Sequence, residues 1–314
     1  MSREPSWDLY RTFNAVLAEG SLSGAARSLG LTQPSIARHI DALEEAVGAP
    51  LFLRTARGLS PTDAALELRP FAELMASTSA AFMRTAEGRS GEVDGTVRIA
   101  ASEVVGIVHL PAILTRLRRR YPRLTIELSL SNAVDDLLKR QADIAIRMVR
   151  PEQQALLARR VGVFPVGLHA HKDYLARRGT PATTEDLGHH DIIGYDMETP
   201  AIRAFAQRHP GLTRATFALR VDSNIAHLAA IRAGFGIGIC QTIIAEAEPD
   251  LVRVLPDAFH EDMETWVAMH EDLGANTRCR AVFDALVAGL TALVRGAAGA
   301  RTARSVERIA PEQG

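Results

Sequence analysis

Gln33, Ser35 and Arg38 stand close together in the chain, and each carries hydrogen-bonding chemistry suited to the edge of a nucleic acid base. An amide such as Gln33 matches the N6/N7 edge of adenine, a guanidinium such as Arg38 matches O6/N7 of guanine or a phosphate, and the Ser35 hydroxyl reaches either. Further on, Arg54 and Arg57 flank a turn closed by Gly58, well placed for phosphates or a narrow minor groove.

Such side chains act only if rigid elements hold them. Ser21 can cap a short helix carrying Ala25, Ala26 and Leu29, Gly30 can end it, and Thr32 can cap a second helix that tolerates Pro34 in its first turn. Two helices joined by a short turn form a helix-turn-helix layout. In the second helix Ile36, Ile40, Leu43 and Val47 recur at the spacing of one buried stripe, leaving Arg38, Asp41 and Glu45 outward. Phosphates repel Asp41 and Glu45, so the N-terminal half alone would enter a major groove. The expected DNA-contacting set is Ser23, Thr32, Gln33, Pro34, Ser35 and Arg38, with Arg54 and Arg57 on a wing anchored by Leu51 and Phe52.

A long helix should follow, with Ser60 as cap, Pro61 in its first position and an end near Glu87. Ala64, Leu68, Phe71, Met75, Thr78 and Phe82 follow a 4-3 spacing, an apolar seam suited to a partner helix. Leu68, Phe71, Met75 and Phe82 are the expected dimerisation residues, and Pro70 should bend or break the helix. Beyond a polar hinge the pattern alternates strands and helices: strands at Thr96–Ser102, from Leu124 and from Asp143, with helices at Val105–Tyr121 and Val134–Arg140. Later strands are expected at Val161–Ala170, Asp191–Tyr195, Phe217–Val221, Gly236–Gln241 and Thr265–His270. The alternation argues an α/β fold with a largely parallel sheet.

The stretch from Leu9 to Ala65 resembles the winged helix-turn-helix of LysR-type transcriptional regulators. The likeness rests on Ala25 with Ala26, the LTQPS run from Leu31, Leu43 with Glu44, Gly48, the LFLRTAR run from Leu51 and the LSP run from Leu59. Ala37 departs from it, standing where the family more often has Ser or Thr. From Gly95 to about Leu290 the chain is similar to the family's effector domain, through GTVRI from Gly95, ADIAI from Ala142 and RAGFGIG from Arg232. The resemblance implies a two-lobed α/β domain like that of periplasmic solute-binding proteins.

The domain plan is then a DNA-binding domain over 1–60, a dimerising linker helix over 61–88, a hinge over 89–95, a two-lobed effector domain over 96–295 and a disordered tail over 296–314. Lobe 1 would take about 96–162 and 267–295, and lobe 2 about 163–266. The family's assemblies imply a homodimer or homotetramer on double-stranded operator DNA, with RNA polymerase as a further partner.

Ligands of such folds bind at strand carboxyl ends, near helix N-termini. Ser102, Glu103, Asn132, Arg147, Asp196, Ser223 and Asn224 occupy such positions and match where the family places inducer contacts. Arg147 and the helix ends favour a small anion. Glu103 could instead recognise an amine or pair internally with Arg147, and Ser102 and Ser223 are also ordinary helix caps.

Composition bounds the remaining readings. With 314 residues, 47% hydrophobic, and a formal net charge of −1, the chain has length for about two domains and no global attraction to nucleic acid, so DNA affinity must be local. No secretory h-region opens it and no run of 18 apolar residues occurs, which points to the cytoplasm without a membrane partner. No GxSxG, HExxH or P-loop pattern supports an enzyme. His169 with His171, and His189 with His190 and Asp191, have metal-like spacing but fall short of four ligands, so neither metal nor other cofactor is expected. GFGIGI from Gly234 resembles a dinucleotide fingerprint weakly, but its glycines precede a strand. A branch of the family senses peroxide through a cysteine pair, so redox sensing by Cys240 and Cys279 is the alternative; Cys240 lies in an apolar strand, and Arg278 and Arg280 flank Cys279.

Overall fold

The computed structural model describes residues 5–55, 58–87, 92–130, 142–151, 155–197 and 199–309. The expected helix Val134–Arg140, Asn132 and Arg57 lie outside them. The chain divides into two compact units, one built on residues 1–89 and the other on 90–134 and 143–314.

The first unit begins with helices α1 (Trp7–Glu19), α2 (Leu22–Leu29) and α3 (Gln33–Val47). Ser21 Oγ accepts from Gly24 N–H at 3.1 Å and caps α2, Gly30 ends it at φ 66°, and Thr32 Oγ1 accepts from Ser35 N–H to cap α3. Phe13, Val16, Ala25, Ile36, Ile40, Leu43 and Leu51 make the core. Val47, expected as the fourth member of the α3 stripe, is 42% exposed, because the helix ends at Gly48 in its last turn. The hairpin β1 (Phe52–Thr55) and β2 (Gly58–Pro61) is antiparallel, with Arg54 opposite Leu59.

Helix α4 (Asp63–Glu87) starts later than expected. Ser60 and Pro61 belong to β2, and Thr62 is the cap: its Oγ1 accepts from Ala65 N–H and donates to Pro50 O at 2.8 Å. Pro70 does not break α4, which runs on past it. Pro70 and Leu66 are both exposed, so water can reach the carbonyl that the missing N–H leaves unpaired. Ala65 and Ala72 are buried, Leu68 packs on the same core, and Asn14 Nδ2 donates to Ala72 O at 2.6 Å.

The second unit opens with β3 (Gly95–Ala101), a π-helical turn at Val105–His109, α5 (Leu110–Arg120), β4 (Leu124–Leu130) and β5 (Ile144–Arg147). Then come the long β6 (Leu156–His171), α6 (Lys172–Arg178), β7 (Ile192–Tyr195), α7 (Pro200–Arg208), β8 (Phe217–Val221) and α8 (Asn224–Arg232). Last are β9 (Gly238–Gln241), α9 (Thr242–Ala245), β10 (Leu251–Val254), β11 (Glu261–His270) and α10 (Thr277–Ile309). The sheet order is β10-β6-β11-β5-β3-β4, with β9 also on β6 and β7 paired with β8.

The sheet is mixed and not largely parallel. β3 runs parallel to β4 and β5, but β11 is antiparallel to both β5 and β6, and β6 is antiparallel to β9 and β10. The cause is the pair of long strands: β6 leaves one core for another and β11 returns beside it, which forces opposite directions. One core gathers Val97, Ile99, Leu110, Ile144, Phe164, Val267 and Leu286; two further clusters lie around Leu168, Ile192 and Leu212, and around Ile193, Leu228 and Ile231. The segment expected as a disordered tail continues α10 as far as Ile309, since its alanines and arginines favour helix and no proline intervenes before Pro311.

Candidate functional site

In the first unit the described residues expected to face DNA fall on α2, on α3 with its cap, and on β1. Gln33, Pro34 and Arg38 are exposed on α3, Ser35 is half-buried with its Oγ 2.8 Å from Thr32 Oγ1, and Ser23 is exposed near the start of α2. Arg54 is exposed on β1. Asp41 and Glu45 are exposed farther along α3, so the charge along that helix is polarised, with its arginine toward the N-terminal half.

The wing is tied to the recognition helix by Glu44. Glu44 Oε1 accepts from Leu51 N–H at 2.6 Å and from Phe52 N–H at 3.1 Å, so one carboxylate pairs both amides where the chain enters β1. On the other side of the hairpin, Leu59 N–H donates to Gly20 O at 2.8 Å, and a Cβ at Gly58 would stand 2.6 Å from that oxygen. Only glycine permits this approach at φ 129°. Glu44 carried a signal, its presence within the family pattern beside Leu43, but no spacing rule announced that it holds the wing.

In the second unit β3 and β5 are parallel neighbours, with Ala101 opposite Ile146, so Ser102 and Arg147 follow at the same strand end. Arg147 is 7% exposed and its Nη1 donates to Ile146 O at 2.9 Å. Glu103, next to Ser102, reaches α8: its carboxylate accepts from Ser223 Oγ at 3.1 Å and from Asn224 N–H at 2.7 Å. Ser223 also caps α8, its Oγ accepting from Ala226 N–H. Three expected residues, Glu103, Ser223 and Asn224, therefore meet. Asp196 is drawn elsewhere, bound by Arg214 through Nη2 to Oδ1 at 2.5 Å and Nε to its carbonyl at 3.2 Å.

The turn after Glu103 supplies more of this junction. Val104 and Val108 pack against the Ile193, Leu228 and Ile231 cluster, and His109 Nε2 lies 2.7 Å from Gln241 Oε1 in a buried pair. Burial lowers the His109 pKa, which keeps the ring neutral, with the Gln241 bond opposing the shift. His109 and Gln241 gave no sequence signal, since a lone histidine in an apolar helix start has many readings.

Comparison with known proteins decides what these parts belong to. Residues 7–66 match the bacterial regulatory helix-turn-helix protein, lysR family, and residues 90–291 match the LysR substrate binding domain. The chain belongs to the LysR family. It is similar to a probable HTH-type transcriptional regulator, LtrA, of Klebsiella pneumoniae, 28% identical over 295 residues that cover 90% of this chain and 94% of the relative. Among solved structures, it superposes on the LysR-type regulator CrgA of Neisseria meningitidis with TM-score 0.56 at 24% identity, covering 91% and 99% of the two chains. The Vibrio cholerae virulence activator AphB gives TM-score 0.60 at 22% identity, over 90% and 99%. These likenesses establish the fold.

This LysR-type regulator is thus a DNA-binding transcription factor with a substrate-binding domain, and not an enzyme. No described helix is long and apolar enough to cross a membrane, and among the described residues no group of three or more His, Cys, Asp or Glu could hold a metal ion. Its two cysteines are buried in separate cores, Cys240 with Ile193 and Leu228, Cys279 with Val282 and Phe283. Burial pushes the Cys240 thiol up to about 12.

Proposed function

We infer that this regulator binds promoter DNA in the cytoplasm as a homodimer or homotetramer, and that a small polar effector in the interlobe cleft sets its DNA-bound geometry. Ser23, Thr32, Gln33, Pro34, Ser35, Arg38, Arg54 and Arg57 are the proposed DNA contacts. Ser102 and Arg147 would hold the effector beside Glu103, Ser223 and Asn224; Asn132 belongs to the set by position alone, and Asp196, already bound by Arg214, contributes least.

One observation carries this reading: Glu103 on the β3 side grips the start of α8 on the other lobe, directly beside the Ser102 and Arg147 strand ends. A ligand arriving there must either use that carboxylate or displace it, and either way it changes how the lobes are held. Ligand control requires such differential contact. The Arg147 guanidinium favours a carboxylate or other anion on the effector. The redox alternative is weaker, because the two thiols sit in separate cores and the Cys240 thiolate is disfavoured.

A thermal-shift screen of metabolites against the full chain tests the reading, since a molecule that binds only the folded form raises its melting temperature. Small polar anions should stabilise the wild type and lose that effect in Arg147→Ala. A ligand that stabilises both proteins equally is bound elsewhere.

A further inference from the structure

Helix α7 closes over a cavity of about 180 Å³ beside β7 and β9. Leu168, Ile192, Phe205, Leu212, Phe217 and Ile239 line it, and all six belong to one apolar cluster or pack against it. Packed interiors keep few voids larger than a water molecule, so a space of this size needs a cause. The cause is residue size. Ile202, Phe205 and Ala206 meet the cavity from one face of α7, and at Ala206 that face carries a single methyl. On β7, a Cβ at Gly194 would stand 2.1 Å from the Phe217 ring, so glycine is what lets that ring lie there as a wall.

The polar groups around the cavity are already engaged. β7 pairs with β8 along one edge, and Ile193 N–H donates to Ile237 O at 2.8 Å. Thr213 N–H donates to Thr216 Oγ1 at 3.1 Å, and that hydroxyl donates to Thr213 O at 2.9 Å. At the rim Arg214 Nη2 donates to Asp196 Oδ1 at 2.5 Å, and Arg203 has a bonding partner of its own. An ion drawn in would lose its hydration and find these groups taken. The ligand class that fits is therefore neutral and apolar.

Volume sets the size. An apolar cavity of roughly 150 Å³ stays dry and accepts benzene, so this one has room for a six-membered ring with a methyl substituent and none for a nucleotide. Ser102, Glu103, Arg147, Ser223 and Asn224 do not line it, and α8 packs Leu228 and Ile231 into a different cluster.

We propose that the cavity under α7 binds a small neutral monocyclic hydrocarbon, of the size of toluene, as a ligand site distinct from the interlobe cleft. The proposal goes beyond the cleft reading and stands without it. The bound ring would brace α7 against β7. The far end of α7 is already fixed, since Arg208 Nε donates to Glu261 and His209 Nε2 lies 2.7 Å from the same carboxylate.

Methyl NMR of the full chain, titrated with toluene and separately with benzoate, tests it. Toluene should give saturable shifts at Ile192, Ile202, Leu212 and Ile239, and none at Ile146, which sits in another core. Benzoate should act on the same methyls roughly tenfold more weakly or worse, because its carboxylate must be desolvated. Ala206→Leu, which fills the cavity, should remove the toluene shifts, and Arg147→Ala should keep them. If Ala206→Leu does not fold, the wild-type comparison of the two ligands decides alone. Absent or unsaturable toluene shifts at those methyls, benzoate as tight as toluene, or toluene binding retained in a folded Ala206→Leu would each overturn the proposal and leave the cleft reading untouched.

Discussion

Glu103 and Asn224, more than a hundred residues apart, are joined at 2.7 Å by a backbone N–H that donates to a carboxylate, and Ser223 Oγ adds a second donor at 3.1 Å. The bond places a negative charge at the N-terminus of α8, where the helix dipole favours it. Charge-assisted bonds of this kind are worth about 1.5 to 3 kcal/mol. Glu103→Gln should therefore raise hydrogen exchange at the Asn224 amide by roughly tenfold or more, by the usual conversion of 1.4 kcal/mol per decade. Ser223→Ala keeps the Asn224 bond and should do less. Unchanged exchange in Glu103→Gln would mean the pair does not restrain α8 in solution.

Arg38 and Glu44 lie on one helix and should fail differently. Arg38 is an exposed side chain, so Arg38→Ala should cost about 1 to 3 kcal/mol of specific DNA affinity if it reads a base, with little effect on stability. Glu44→Ala leaves two amides at the wing without their acceptor and should lower both DNA affinity and thermal stability. Fluorescence anisotropy with parallel melting curves separates them, and equal loss on operator and random DNA would reduce Arg38 to a phosphate contact.

Phe71 and Phe82 are 66% and 72% exposed on α4, an arrangement a lone helix would not favour in water. Their expected role is the seam with a second copy, whereas Leu68 already packs on its own helix-turn-helix core. Phe71→Glu with Phe82→Glu should shift sedimentation to a smaller species and abolish tight operator binding, because paired half-site contacts multiply. A double variant that keeps its assembly would place the interface elsewhere.

Burial holds His169 and His227 at about 4, below the ordinary imidazole value, and His227 Nε2 accepts from Ile239 N–H, a bond only the unprotonated nitrogen can make. A depressed histidine pKa means the unfolded chain binds the proton first. Stability is then full above the unfolded pKa of about 6.5 and falls as pH drops from there toward 4. By pH 5 the loss should be on the order of 2 kcal/mol per histidine. Urea unfolding between pH 7 and 5 checks this, and His227→Gln should flatten the slope; a slope that the variant leaves unaltered would assign it to other groups.

Much of the DNA-binding unit was legible because its signals are local. Caps at Ser21 and Thr32, the stop at Gly30 and the buried spacing of Ile36, Ile40 and Leu43 each depend on neighbours within a few residues. What escaped depends on distant partners. The start of α4 moved to Thr62 because its hydroxyl finds Pro50 O, and the sheet proved mixed because β11 inserts between β5 and β6 from far along the chain. Residue types pointed to Glu103 and Ser223, but their mutual bond, and the His109 to Gln241 pair, arise only once segments more than a hundred residues apart are brought together.

Operator binding with and without a stabilising metabolite, measured by anisotropy on the wild type and Arg147→Ala, tests the central claim most directly. Coupling between ligand and DNA must run through contacts that differ between states. The ligand should change the wild-type DNA affinity or footprint, while Arg147→Ala binds free operator as the wild type does and no longer responds. A variant that responds in full, or that loses operator binding without ligand, would contradict control through the interlobe cleft.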